Sequence, residues 1–138
     1  MTHSDTFALS TKGFCDVIDI TGEAEKIVES SKIKEGMVLV FVSGSTAGIT
    51  TCEYERGLIK DLEELMERLA PQNKNYHHNR AWGDDNGFSH MRASLIGPSI
   101  VLPLKDGQLQ LGTWQQIVCL DFDNRPRERK IEVTVVGE

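Results

Sequence analysis

The chain has 138 residues, carries 15 Lys and Arg against 21 Asp and Glu for a formal charge of -6, and is 39% hydrophobic and 26% charged. That length and composition fit one soluble globular domain with its own core, and no apolar run approaches the roughly 20 residues that a membrane-spanning helix needs. The acidic balance works against nucleic-acid binding, which draws its affinity from concentrated Lys and Arg.

The start, Met1-Thr2-His3-Ser4-Asp5, holds no basic region followed by an apolar one, so the expected location is the cytoplasm, with no membrane partner. A short strand is expected at Phe7 to Ser10 and a longer one at Phe14 to Ile20, whose apolar residues alternate loosely. Thr21 is placed to cap a helix that carries Glu23 and Glu25 in its first turns and Ala24, Ile27 and Val28 on one face. Met37 to Val42 is an unbroken apolar run suited to a strand buried on both faces. Ala47 to Cys52 follows after only Ser43-Gly44-Ser45-Thr46, so the two strands are expected to form a hairpin.

Leu58, Ile59, Leu62, Leu65, Met66 and Leu69 lay one stripe along a helix that stops before Pro71. Residues 71 to 89 contain almost no aliphatic side chains and read as a long functional loop. His90 to Ile96 forms one or two helical turns stopped by Gly97-Pro98, and Ser99 to Leu104 is a strand. Asp106-Gly107 signals a hairpin turn, and Gln108 to Phe122 supplies one long strand or two shorter ones. Arg125 to Lys130 reads as a polar turn leading into a final alternating strand, Lys130 to Val136. The expected fold is α+β: a compact single domain over 1–138 with a mainly antiparallel, curved or barrel-like sheet and two principal helices.

Chemistry concentrates between Tyr76 and Arg92, where His77, His78 and His90 lie within fifteen residues of one another with Asp84, Asp85 and Asn86. Neutral imidazoles and carboxylates bind zinc and related divalent metals, although the spacing matches no standard metal signature. The same residues suit metal-free acid/base work, with an imidazole tuned by Asp84. The plain alternative is a polar loop whose histidines only hydrogen-bond backbone or solvent. Arg92 carries the geometry for an anionic group, and Gly44-Ser45-Thr46-Ala47-Gly48 can cradle a phosphate or simply turn the chain. Glu53 and Glu55 at a strand end can face a site or cap the helix that begins near Arg56. Gln115 can reach into a pocket or bridge subunits. Cys15, Cys52 and Cys119 have no paired spacing and read as buried free thiols.

Ser45-Thr46-Ala47-Gly48-Ile49-Thr50, Tyr76-x-His78-Asn79, Asp84-x-Asn86-x-x-x-His90, Ala93-Ser94-Leu95-x-Gly97-Pro98-Ser99 and Asp106-Gly107…Leu111-Gly112-Thr113-Trp114-Gln115 together resemble the YjbQ-like family, also called secondary thiamine-phosphate synthases. The resemblance spans nearly the whole chain and is most specific from Ser99 to Ile117. It implies a curved mixed sheet, a homotrimer and a site near the histidine-bearing loop. It also implies weak synthase activity in some members, joining a pyrimidine diphosphate to a thiazole phosphate.

On that resemblance, His78 and His90 are catalytic residues and ligands for a divalent metal, zinc or magnesium. Asp84, Asn86 and Glu53 join them as catalytic candidates. Arg92, Ser45, Thr46 and Gln115 are assigned to a small phosphorylated substrate. Many members carry His-Thr-Ser or His-Thr-Thr where this chain has Gly44-Ser45-Thr46, so a third imidazole is missing and Glu53, water or a neighbouring subunit is left to replace it. Two readings follow: an enzyme acting on a phosphorylated substrate, or a non-catalytic metal- or metabolite-binding protein.

Overall fold

A computed structural model describes all residues, 1–138. The elements in chain order are β1 (Thr2–Thr11), β2 (Asp16–Asp19), α1 (Thr21–Ser31), β3 (Gly36–Val42), β4 (Ala47–Cys52), α2 (Arg56–Leu69), α3 (His77–Trp82), α4 (Gly87–Ile96), β5 (Ser99–Lys105), β6 (Gln108–Leu109), β7 (Gln116–Asp121) and β8 (Arg127–Gly137). Every strand pairing is antiparallel. The strands form a five-stranded sheet, β1-β8-β3-β5-β6, and a three-stranded sheet, β2-β7-β4. The expected α+β class and curled antiparallel sheet hold, with α1 and α2 the two longest helices.

Period-two alternation sets which residues enter the core. Val38, Val40 and Val42 of β3 and Ile131, Val133 and Val135 of β8 are fully buried, each worth roughly 1.5–3 kcal/mol of apolar transfer. They pack with Ala24, Ile27 and Val28 of α1 and with Ile49, Ile117 and Cys119 of the smaller sheet. The opposite face of that smaller sheet carries Val17, Val118, Leu120 and Phe122 against Met66 of α2 and Ala93 of α4. β7 therefore contributes to both cores, and Ile117 through Leu120 are all fully buried. The doubly buried apolar run is this strand; β3 instead turns Met37, Leu39 and Phe41 outward.

Several boundaries differ from the sequence-based expectation, each for a local reason. β1 runs over ten residues because β8 pairs with it from Thr2↔Val136 to Thr11↔Arg127. Phe14 to Ile20 does not form one strand: Gly13, Phe14 and Cys15 all have positive φ (85°, 64° and 114°), and β2 starts only at Asp16. Thr21 does not cap α1; its hydroxyl donates to Asp19 Oδ1 at 2.6 Å and accepts the Ile117 N–H at 2.9 Å. The expected hairpin of β3 with β4 is absent, since β3 pairs with β5 and β8 while β4 pairs with β7. Ser43 to Thr46 is a crossover between sheets. Residues 71 to 89 are not structureless, because α3 and the first turn of α4 lie within them. Asp106 and Gly107 both adopt positive φ (52° and 75°) and close the β5–β6 turn as expected for a hairpin of this type.

Candidate functional site

The site grows from the short α3 and the N-terminal half of α4. α3 ends at Gly83 in a left-handed conformation, with the Gly83 N–H donating to Asn79 O. Four residues on, Gly87 lets α4 start against α3: a Cβ there would lie 2.5 Å from Tyr76 Cβ and 2.9 Å from Asn79 Oδ1, which already accepts the Gly87 N–H. This close approach brings His78 on α3 and His90 on α4 together, ring centroids 4.3 Å apart at 52°.

Asn86 orients the first imidazole. Its Nδ2 donates to Asp123 Oδ1 at 3.2 Å, which leaves Oδ1 as the acceptor facing His78 Nε2 at 3.2 Å. His78 Nε2 therefore carries a proton, and its Nδ1 is the nitrogen left for chemistry. Asp123 is fully buried and also accepts from Arg127 Nε (2.6 Å), Thr46 Oγ1 (3.2 Å) and the Asn124 N–H (2.8 Å). Burial alone would push this carboxyl up, but the bonds from Arg127, the Asn124 N–H and Asn86 outweigh it and hold it below the usual carboxylate range. A second buried pair lies alongside, with Arg129 donating to both oxygens of Asp121 at 2.6 and 2.9 Å and to Thr46 Oγ1 at 2.6 Å. The Phe14 and Cys15 N–H groups donate to the carbonyls of Asp123 and Asp121, which ties the left-handed segment to the same turn.

His90 is pulled below its ordinary value, first by burial and then by the neighbouring His78, partly countered by Asp123 and Asp84. At neutral pH it is an uncharged imidazole. Asp84 is exposed, with Oδ1 3.8 Å from His78 Nε2, beyond hydrogen-bond reach. The chain holds no group of three or more His, Cys, Asp or Glu side chains arranged for a metal ion. What it provides is a pair of imidazoles with open lone pairs, chemistry that fits zinc better than oxygen-seeking magnesium.

The other expected site residues are dispersed. Thr46 is buried and its hydroxyl is engaged by Asp123 and Arg129, so it works as structure; Ser45 beside it is exposed and makes no side-chain hydrogen bond. Arg92 is 2% exposed, with Nε donating to Ala70 O (3.0 Å), Nη2 paired to Glu67 (2.8 Å) and the guanidinium over the Phe88 ring. Its expected role as an exposed anion ligand gives way to tying α4 to the end of α2. Glu55 caps α2, accepting from the Gly57 and Leu58 N–H groups. Glu53 is exposed just past Cys52, whereas the His78–Asp123 network meets β4 at Ala47 through its Asp121 partner. The six residues of β4 separate them by roughly 20 Å at about 3.3 Å per residue. Gln115 sits at the Glu53 end: its Nε2 donates to Thr51 Oγ1 and its Oε1 accepts the Gly112 N–H, both at 3.0 Å. Within one chain, Glu53 therefore does not stand in for the missing imidazole. Gly44, where that imidazole is expected, has φ +128°, and a Cβ there would meet Arg129 Nη1 at 2.7 Å.

The sequence reading missed Asp121, Asp123, Arg127 and Arg129. Two aspartates interrupting an apolar strand, answered by two arginines at alternate positions, were the available signal. The cysteines are free, with burial raising Cys15 to about 11 and Cys119 to about 12, so neither is a ready thiolate. A cavity of about 790 Å³ is lined by Phe14, Glu67, Asn79, Asp85 and Asn124 among others, and neither His78 nor His90 lines it.

A family model described as UPF0047 protein YjbQ-like matches residues 5–138. The chain belongs to the YjbQ-like UPF0047 family. A UPF0047 protein of Archaeoglobus fulgidus is 43% identical over 125 residues, covering 91% of this chain and 94% of that protein. The UPF0047 protein YjbQ of Escherichia coli O157:H7 is 30% identical over the full length of both. Among solved structures, a YbjQ-like protein of unknown function from Sulfolobus solfataricus P2 has a TM-score of 0.95 at 37% identity, covering 100% of this chain and 99% of that one. The YjbQ-like fold is thereby established for this chain, and no helix is long and apolar enough to cross a membrane.

Proposed function

We propose that this YjbQ-like protein is an enzyme that moves a proton on a small phosphorylated substrate, with His78 and His90 as the catalytic pair. The observation that supports this reading is the paired imidazoles: one is oriented through Asn86 by a buried, ion-paired carboxylate, and the other is held neutral beside it. An oriented neutral imidazole takes a proton at its free nitrogen, and its conjugate acid returns it to a leaving oxygen. Ser45, exposed on the crossover turn, is the hydroxyl that remains free for a phosphate oxygen. A thiamine-phosphate synthase-like transfer, in which a diphosphate leaves, is one reaction this pair would serve.

A specific observation favours a second reading. Arg92 and Arg129 are buried in internal pairs, so neither is free to meet the charge of a substrate. Two open lone pairs without a cation also describe a non-catalytic metal- or metabolite-binding site, with zinc as the ion that suits imidazole. The exposed apolar face of the large sheet, with Met37 (53%), Val101 (57%) and Val136 (43%) beside Leu39 and Phe41, supports assembly with further copies as a homotrimer.

The test pairs phosphorus NMR on a panel of phosphate and diphosphate esters with calorimetric zinc titration, on wild type and His78→Ala/His90→Ala. Turnover lost in the double variant, with the circular dichroism spectrum retained, is the expected result. Turnover that survives it removes the histidines from the chemistry. Zinc or ester binding without turnover transfers the site to the second reading.

A further inference from the structure

α2 packs on the domain through a narrow contact. Only Met66 is buried, with Ile59 half-buried against the same cluster. To one side of that contact the helix presents Leu58 and Leu62, half-buried, and Leu65 and Leu69, exposed by 37% and 59%. Their spacing of 4, 3 and 4 places them as the d, a, d and a positions of a heptad, a seam about 17 Å long at 1.5 Å per residue. No element of the same chain covers it.

We propose that this seam docks on the same seam of a second copy of the chain, with the two α2 helices antiparallel about a two-fold axis between Leu62 and Leu65. Three observations converge on that occupant. The 4-3-4 spacing is its own reverse, so antiparallel pairing sets Leu62 against Leu65 and Leu58 against Leu69 throughout, as an isologous contact requires. In that register the g positions, Asp61 and Arg68, flank the seam and face each other across it, giving two symmetry-related ion pairs. Both are exposed, and neither is paired within its own chain. A parallel pair would instead set Asp61 near Met66, which is already committed to the core. The remaining charged residues, Arg56, Lys60, Glu63, Glu64 and Glu67, occupy b, c and f positions and point away from the axis.

The contact is independent of any assembly through the large sheet. It doubles whatever species that face produces, a monomer to a dimer or a trimer to a hexamer. A three-turn seam is small, so the doubling depends on concentration. Sedimentation equilibrium of the full chain, from low micromolar to near-millimolar loading, reads it directly. The expected result is a mass that doubles with concentration in wild type, does not double in Leu65→Glu, and needs about tenfold higher concentration in Asp61→Arg. The Asp61→Arg/Arg68→Asp double variant returns to within about threefold of wild type, because the ion pairs are rebuilt with exchanged partners. Leu65 is exposed, so circular dichroism of Leu65→Glu should match wild type. A wild-type mass that never doubles overturns the proposal, as does doubling unaffected by Leu65→Glu or charge reversal that the second reversal does not rescue. A threefold mass with no doubling retains the sheet assembly and rejects the α2 pair.

Discussion

Replacing Asp123 by Asn keeps the shape of the side chain and removes its charge. Four donors converge on its two oxygens: Asn86 Nδ2 and the Asn124 N–H on Oδ1, Arg127 Nε and Thr46 Oγ1 on Oδ2. An amide offers one oxygen and one NH2, so at least one pair of donors then faces another donor in a fully buried position. Breaking a buried pair by removing one partner costs about 3–5 kcal/mol, most of it the uncompensated charge left behind. Arg127 is about one-third exposed and recovers some hydration, so the lower end, about 3 kcal/mol, is expected. At roughly 3–4 °C per kcal/mol for a domain of this size, Tm drops by about 10 °C. The assay is urea and thermal unfolding at pH 7 and fixed protein concentration, with imidazole nitrogen NMR to follow His78. The His78 Nε2–H tautomer should lose its dominance together with the stability. A variant within 1 kcal/mol of wild type, with the tautomer unchanged, would refute the reasoning that this carboxylate sets the imidazole.

His90 should titrate in proton NMR with its midpoint under the ordinary histidine value of 6.5. Because its folded pKa is depressed, the unfolded chain binds the proton first, so its contribution to stability is intact above pH 6.5 and is lost as pH falls through the folded value. Asp123 acts with the same sign at lower pH, its contribution intact above its ordinary value of 3.8 and lost as pH falls through its depressed folded value. Denaturation midpoints measured from pH 8 to pH 5 should therefore fall, and His90→Gln should flatten that stretch. Gly87→Ala forces a methyl to within 2.5 Å of Tyr76 Cβ, which costs about 1–3 kcal/mol and parts α3 from α4; nuclear Overhauser contacts between His78 and His90 should weaken. Unchanged contacts would mean that the helices adjust elsewhere.

Most elements with strong periodicity were legible in the sequence. The stripe from Leu58 to Leu69, the Asp106-Gly107 turn and the alternation of β8 each follow from local rules that the tertiary structure leaves intact. What escaped was non-local. Whether Ser43 to Thr46 makes a hairpin or a crossover depends on which strands flank β3, and four residues of turn chemistry carry no record of that. Gly13 to Cys15 read as strand because side-chain alternation does not report φ. At the site, the histidines and Asn86 were visible as a cluster, and the brackets of Gly83 and Gly87 bring them together. Arg92 and Thr46 were misplaced because their chemistry suits a ligand and an internal partner equally well; burial decides, and burial is set by residues 22 and 77 positions away in the chain.

The strand shared by both cores bears on how the domain comes apart. Ile117 and Cys119 wall one hydrophobic compartment while Val118 and Leu120 wall the other. Pulling β7 out opens both at once, and melting either compartment leaves one face of β7 against water. The domain has no seam along which to unfold by halves. Damage near α2 or α4 is therefore felt under α1, because both compartments lean on the same strand.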